Sequence, residues 1–217
     1  TALAQLLDEL AIRAPNDEMR FSLLRDRARL LRDVMKEPAL AAEAYREMRT
    51  IREDDEALLS LLAQARKTEA WNELAELAAV RLERTTDAAE RRELAMERAT
   101  VLLDHLLDPG AGETQLLALR QTDPTFVPAV ARLASVYQEM GEPEKLAATL
   151  WDQLALVAQP SIRSGIARRL FELHAGSVPD EAKALDALRA WVKAAPFDLE
   201  ALRELSTRLP EDRVDER

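Results

Sequence analysis

Apolar side chains recur along this chain every three or four residues. Leu3, Leu6, Leu7 and Leu10 open the series, and the segments ALLSLL (57–62), AVARLA (129–134) and ALRELS (201–206) continue it. That spacing lines the leucines and alanines along one face of an α-helix, whose period is 3.6 residues. The pattern predicts helices at 2–13, 17–35, 39–50, 55–67, 71–84, 89–106, 111–121, 127–140, 143–158, 162–175, 180–194 and 198–208. Turn signals separate them at Glu37-Pro38, Asp108-Pro109 and Val178-Pro179, where proline suits a first helical turn and pushes its predecessor out of helix. The expected fold class is all-α.

The helices are not independent of one another. Ala57, Ala129 and Ala201, with Leu61, Leu133 and Leu205 behind them, recur at intervals of 72 residues, and Arg27, Arg98 and Arg169 recur at intervals of 71. The unit therefore holds two helical hairpins, each of about 36 residues, within the period range of helical repeat arrays. A hairpin that short cannot bury both apolar faces alone, so stacking on its neighbours must supply the core. The chain reads as one array over 1–217, with helix pairs at 16–53, 54–87, 88–124, 125–159 and 160–196 and partial repeats at both ends. Because Thr1 already stands inside an apolar helical pattern, a piece of a longer protein is expected.

The segment VPAVARLASVYQEMGEPEKLAATLWDQLALVAQP (127–160) resembles a tetratricopeptide repeat. Val130, Leu133, the small Ala134 and Tyr137 mark its first helix, Gly141 its turn, and Leu150 and Leu154 its second helix. Asp123-Pro124 and Ala195-Pro196 resemble the proline that closes such repeats. Leu146 departs from the family pattern, which has alanine there, and the half-repeats around Pro38, Pro109 and Pro179 have a longer first helix or connector. The resemblance implies a right-handed superhelix (solenoid) of antiparallel helix pairs that recognises a protein or peptide on the concave surface of its first helices. The lysine and asparagine clamp by which some members hold a terminal carboxylate is not reproduced, since Ala63, Ala131, Ser135 and Gln138 stand at the compared places.

Composition narrows the function further. Five glycines and 4% aromatic residues fit helices better than strands. A net charge of -10 lacks the electropositive footprint of a general nucleic-acid binder. No apolar run approaches the roughly 18 residues of a membrane span, and the first residues carry no signal pattern, so a cytoplasmic protein is expected. With no cysteine and two isolated histidines, His105 and His174, neither a metal site nor a catalytic constellation is visible. No cofactor and no enzymatic activity are expected, and both histidines read as ordinary helix-end residues.

The candidate partner-binding residues are carboxylates and a few polar side chains. Asp26 and Glu97 hold equivalent places, as do Asp33 and Asp104, and the members on each helix lie seven residues apart, two turns along one face. By the resemblance that face is the inner one, so an acidic strip would steer a basic partner surface. A merely solvated charged face is the alternative. Arg66, Ser135 and Gln138 complete the candidate set. Arg27, Arg98 and Arg169 read as ties between neighbouring helices through carboxylates, and Trp71, Trp151 and Trp191 as packing anchors with Trp71 partly exposed. A scaffold binding a protein or peptide is the leading reading; a structural spacer, or a regulatory helical domain of a larger protein, is the competing one.

Overall fold

The computed structural model describes residues 2–208, and their regular structure is entirely helical. The elements are α1 (Ala2–Ile12), α2 (Asp17–Arg29), α3 (Pro38–Ile51), α4 (Asp55–Thr68), α5 (Trp71–Arg84), α6 (Ala88–Thr100), α7 (Pro109–Thr122), α8 (Val127–Met140), α9 (Pro143–Leu156), α10 (Pro160–Ala175), α11 (Glu181–Ala194) and α12 (Leu199–Arg208). Pro38, Pro109, Pro143 and Pro160 each take a first helical position, where the missing N–H costs nothing. Pro179 does not: Asp180 caps α11 through its side chain, and the helix starts one residue later.

The ends of α2 and α6 depart from the regular helices expected there. Each closes in a widened turn, Leu30–Val34 and Val101–His105, in which Met35 donates to the Leu30 carbonyl and Leu106 to that of Val101, both at 3.0 Å. Lys36 and Leu107 follow with φ of 59° and 53°, a left-handed conformation that side chains disfavour. The two sites are equivalent under the 71-residue repeat, so the distortion belongs to the repeat and not to one loop.

The chain divides into two compact units, Thr1–Leu107 and Asp108–Arg217. Within each, the extensive packing is between helices adjacent in sequence, α1 on α2 through to α5 on α6, and α7 on α8 through to α11 on α12. The core of the first unit includes Phe21, Leu24, Tyr45, Met48, Leu58, Leu61, Leu62, Leu74 and Leu77; that of the second includes Leu116, Val130, Leu133, Leu170 and Leu188. Ala57, Ala129 and Ala201 are all buried, as are Leu61, Leu133 and Leu205, so the repeat read from the sequence is a repeat of environment. Truncating one such leucine to alanine costs about 2–5 kcal/mol, through lost transfer energy and the cavity left behind.

Candidate functional site

On the first unit, the last turns of α4 and α6 bring together two residues that lie 31 positions apart. Arg66 grips Glu97 with both ends of its guanidinium fork, Nε to Oε1 at 2.5 Å and Nη2 to Oε2 at 2.6 Å. A planar guanidinium matches a carboxylate in this way, so the pair fixes direction as well as distance. Two turns toward the start of α6, Arg81 from α5 holds Glu90 at 2.7 and 3.0 Å, and the Thr85 hydroxyl also donates to that carboxylate. The Arg81 bond first, and the Thr85 bond second, keep the Glu90 carboxyl below the usual carboxylate range.

Between these two pairs lies a groove of about 400 Å³, lined by Leu59, Leu62 and Leu94 together with Arg66, Arg81, Glu90, Glu93 and Glu97. Pockets of a few hundred Å³ with an apolar lining and a few fixed polar groups are the usual form of a binding site. Leu59 is 48% exposed, whereas Leu58, Leu61 and Leu62 on the same helix are buried. Glu93 has no hydrogen bond or ion pair among the described residues. The groove therefore offers aliphatic surface beside one uncommitted carboxylate, between two carboxylates that arginines already occupy.

The cross-helix pairs also reveal the order of layers. Glu56 on α4 is held by Arg29 and Arg32 of α2, and Arg66 on α4 by Glu97 of α6. Arg46 on α3 reaches Glu73 on α5 at 2.6 Å. In the second unit Arg168 on α10 reaches Glu200 on α12, Arg169 on α10 donates to Gln138 on α8, and Arg120 on α7 pairs with Asp152 on α9. Within each unit, first helices thus stand beside first helices, and second beside second, in successive two-helix hairpins. The fold is tetratricopeptide-like. The turn between α8 and α9 fits that pattern, because Gly141 closes α8 in the left-handed region at φ 70°.

No protein-family model and no curated protein matches the chain. Among solved structures it is similar to YrrB, a TPR protein with an unusual peptide-binding site, at 15% identity and a TM-score of 0.48 over 86% of this chain and 91% of that one. It is also similar to MamA, at 16% identity and a TM-score of 0.48 over 89% of this chain and 99% of that one. PilF of Pseudomonas aeruginosa follows at 15% identity and a TM-score of 0.42, over 95% of this chain and 96% of that one.

Of the candidate residues, Arg66 and Glu97 meet at the groove of α4 and α6. Asp26 and Asp33 are exposed on α2, and Asp33 is bonded by its neighbour Arg32 at 2.7 and 2.9 Å. Asp104 is exposed at the end of α6. Ser135 bonds the Ala131 carbonyl of its own helix at 3.3 Å, and Gln138 is engaged by Arg169. The recurring arginines do tie helices, with varied acceptors. Arg27 pairs with Asp8 at 2.9 Å, Arg98 donates to the Ala75 carbonyl at 3.1 Å, and Arg169 uses an amide.

His174 corrects its reading as an ordinary helix-end residue. It is buried in the last turn of α10, because Trp151 from α9 and the Val178 carbonyl close over its two ring nitrogens. His105 is exposed and stacks on Trp71 with ring centroids 3.8 Å apart. Among the described residues no group of three histidine, aspartate or glutamate side chains stands close enough to hold a metal ion, and no helix is long and apolar enough to cross a membrane.

The groove itself was not read from the sequence. Its signal was present at Leu59, which lies off the apolar phase of Ala57, Leu58, Leu61 and Leu62. A leucine out of phase on a first helix marks apolar surface left outside the core.

Proposed function

We propose that the chain is a cytoplasmic interaction scaffold without chemistry of its own, and that it takes a protein segment carrying a basic residue between aliphatic ones into the groove of α4 and α6. The observation that carries this reading is the pairing of an exposed Leu59 with the uncommitted Glu93 in one groove. Leu59, Leu62 and Leu94 would bury the aliphatic side chains, each worth about 1.5–3 kcal/mol when fully desolvated. Glu93 would take the lysine or arginine. Arg66 and Arg81 hold Glu97 and Glu90 in place at the two ends of the groove. Asp26, Asp33 and Asp104, with the net charge of -10, would steer a basic partner toward the chain. Ser135 and Gln138 would add polar contacts on the first helices of the second unit.

Fluorescence anisotropy tests the proposal with labelled peptides that place lysine or arginine between leucines or valines, set against the same peptides with glutamate at the basic position. The basic peptides are expected to bind more tightly at low salt, and both Leu59→Asp and Glu93→Lys are expected to weaken them at least tenfold. Equal binding of basic and acidic peptides, or affinity unchanged in Leu59→Asp, would remove the groove from the account.

A further inference from the structure

Glu90, Glu93 and Glu97 stand on one face of α6, because steps of three and four residues return a side chain to the same side of a helix. All three line the groove, and on a helix such neighbours have Cβ atoms about 5–6 Å apart. Arg81 and Arg66 engage the outer two, each laying its fork on one carboxylate. Arg81 is shared further with Asp55, at 3.5 Å. The groove therefore sets three carboxylates against two guanidiniums, one positive charge short of balance. Two other arginines of α6 do not make up the difference, since Arg91 and Arg98 turn to the backbone carbonyls of Thr85 and Ala75.

This ladder of carboxylates belongs to α6 and not to the repeat. The places 71 residues before it hold Met19, Ser22 and Asp26 on α2, and those 71 residues after it hold Ser161, Ser164 and Arg168 on α10. On α8 and α10 the apolar part is gone as well, Ala131 standing for Leu59 and Gly165 for Leu94. A charged helix face that is merely solvated needs no leucine in its company. Here Leu59 stays 48% exposed in the same groove as the unpaired carboxylate.

Given a partner segment seated in this groove, as the proposed function has it, we propose that the basic residue it inserts is a lysine and that the site discriminates against arginine. Lysine brings a four-carbon stem and a compact ammonium with three donors. The stem lies along Leu59, Leu62 and Leu94. The ammonium takes Glu93 first and has donors left for lone pairs of Glu90 and Glu97, since a carboxylate accepts at about four sites and its arginine occupies two. A guanidinium is planar and commits its fork to a single carboxylate edge, and here it would stand between two others of its own charge. The groove is open at Leu59, so the ammonium keeps part of its hydration and escapes most of the desolvation cost of a buried ion pair.

One leucine-flanked peptide, labelled for fluorescence anisotropy and carrying lysine, arginine, acetyl-lysine or glutamate at its centre, provides the test. Lysine is expected to bind about fivefold tighter than arginine. It is expected to bind about tenfold tighter than acetyl-lysine, which keeps the stem and loses the charge. In Glu93→Gln the lysine peptide should fall to the level of the acetyl-lysine peptide. Glu97→Gln leaves Glu93 in place but evens the groove at two carboxylates against two guanidiniums, so the advantage of lysine over acetyl-lysine should shrink about threefold. Both variants are expected to keep the original helicity by circular dichroism, and the peptide series on the unaltered chain depends on neither. Arginine binding as tightly as lysine, or a lysine advantage undiminished in Glu97→Gln, would overturn the lysine assignment and leave the groove standing as a site for basic segments. Basic and acidic peptides binding alike would remove the groove, and the lysine assignment with it.

Discussion

The indole N–H of Trp151 donates to Nε2 of His174 at 3.1 Å, and the other ring nitrogen, Nδ1, lies 3.1 Å from the carbonyl of Val178. A neutral imidazole with its proton on Nδ1 satisfies both partners, donating to one and accepting from the other. The residue thereby ties the end of α10 to α9 and to the connector before α11. Replacing it with leucine leaves the Trp151 N–H and the Val178 carbonyl without partners. The expected cost is about 2 kcal/mol in urea unfolding, the penalty of orphaned polar groups. A double-mutant cycle with Trp151→Phe should show a coupling of about 1 kcal/mol; additive losses would mean that the bond contributes nothing.

Glu56 gathers Arg29, Arg32 and the Tyr45 hydroxyl, with Arg29 Nε at 3.0 Å from Oε2 and Tyr45 at 3.1 Å from Oε1. The Arg29 hydrogen bond is the chief reason its carboxyl is held below the usual carboxylate range, and the Arg81 bond does the same for Glu90. A carboxyl whose folded pKa is depressed contributes stability above its unfolded pKa and loses it as pH falls through the folded value. The first unit should therefore weaken progressively below about pH 5. Glu56→Gln is expected to cost about 1 kcal/mol at pH 7, because charge-assisted bonds at a partly exposed site give modest net stability. Urea titrations at several pH values should show the variant losing less on acidification than the original chain.

Gly141 turns α8 into α9 at φ 70°, and a Cβ built there meets no atom within 4 Å. Gly141→Ala should then cost about 1 kcal/mol from the backbone alone. The reverse change is available at Lys36, whose φ is 59° in a turn with no glycine. Lys36→Gly is expected to raise the unfolding midpoint slightly, as glycine suits the residue after a helix end. A midpoint lowered by Lys36→Gly would show that side-chain contacts outweigh the backbone term.

Contacts in each unit run between sequence neighbours, and that locality gives a truncation its expected outcome. Cutting after Leu107, at the boundary of the units, should leave residues 1–107 helical and cooperatively unfolding, as in nearest-neighbour arrays. Far-ultraviolet circular dichroism and a thermal melt check this. A fragment without a cooperative transition would mean that the unit does not hold its own core.

Helix positions were legible from the sequence because they depend on local periodicity. With the widened turns counted as the ends of α2 and α6, every predicted helix lies within two residues of its counterpart. The turns were legible where glycine or proline marks them, at Gly141, Pro38 and Pro109. The widened turns at Leu30–Val34 and Val101–His105 were not, since no glycine or proline marks the left-handed Lys36 and Leu107 that follow.

The chain's own residues determined which positions form each helix and which face of it seeks a core, because a 3.6-residue period and a 71- or 72-residue repeat are written in side-chain type. Tertiary structure decided how the charges are used. Glu97 and Asp33 read alike as carboxylates of an acidic strip, yet Arg66 reaches Glu97 from another helix while Asp33 is bonded by the adjacent Arg32. It also decided that His174 is buried and His105 exposed, although both stand at helix ends. The reason is physical: an apolar face is a property of one helix, whereas an ion pair or a buried ring needs groups brought from elements that sequence spacing does not join.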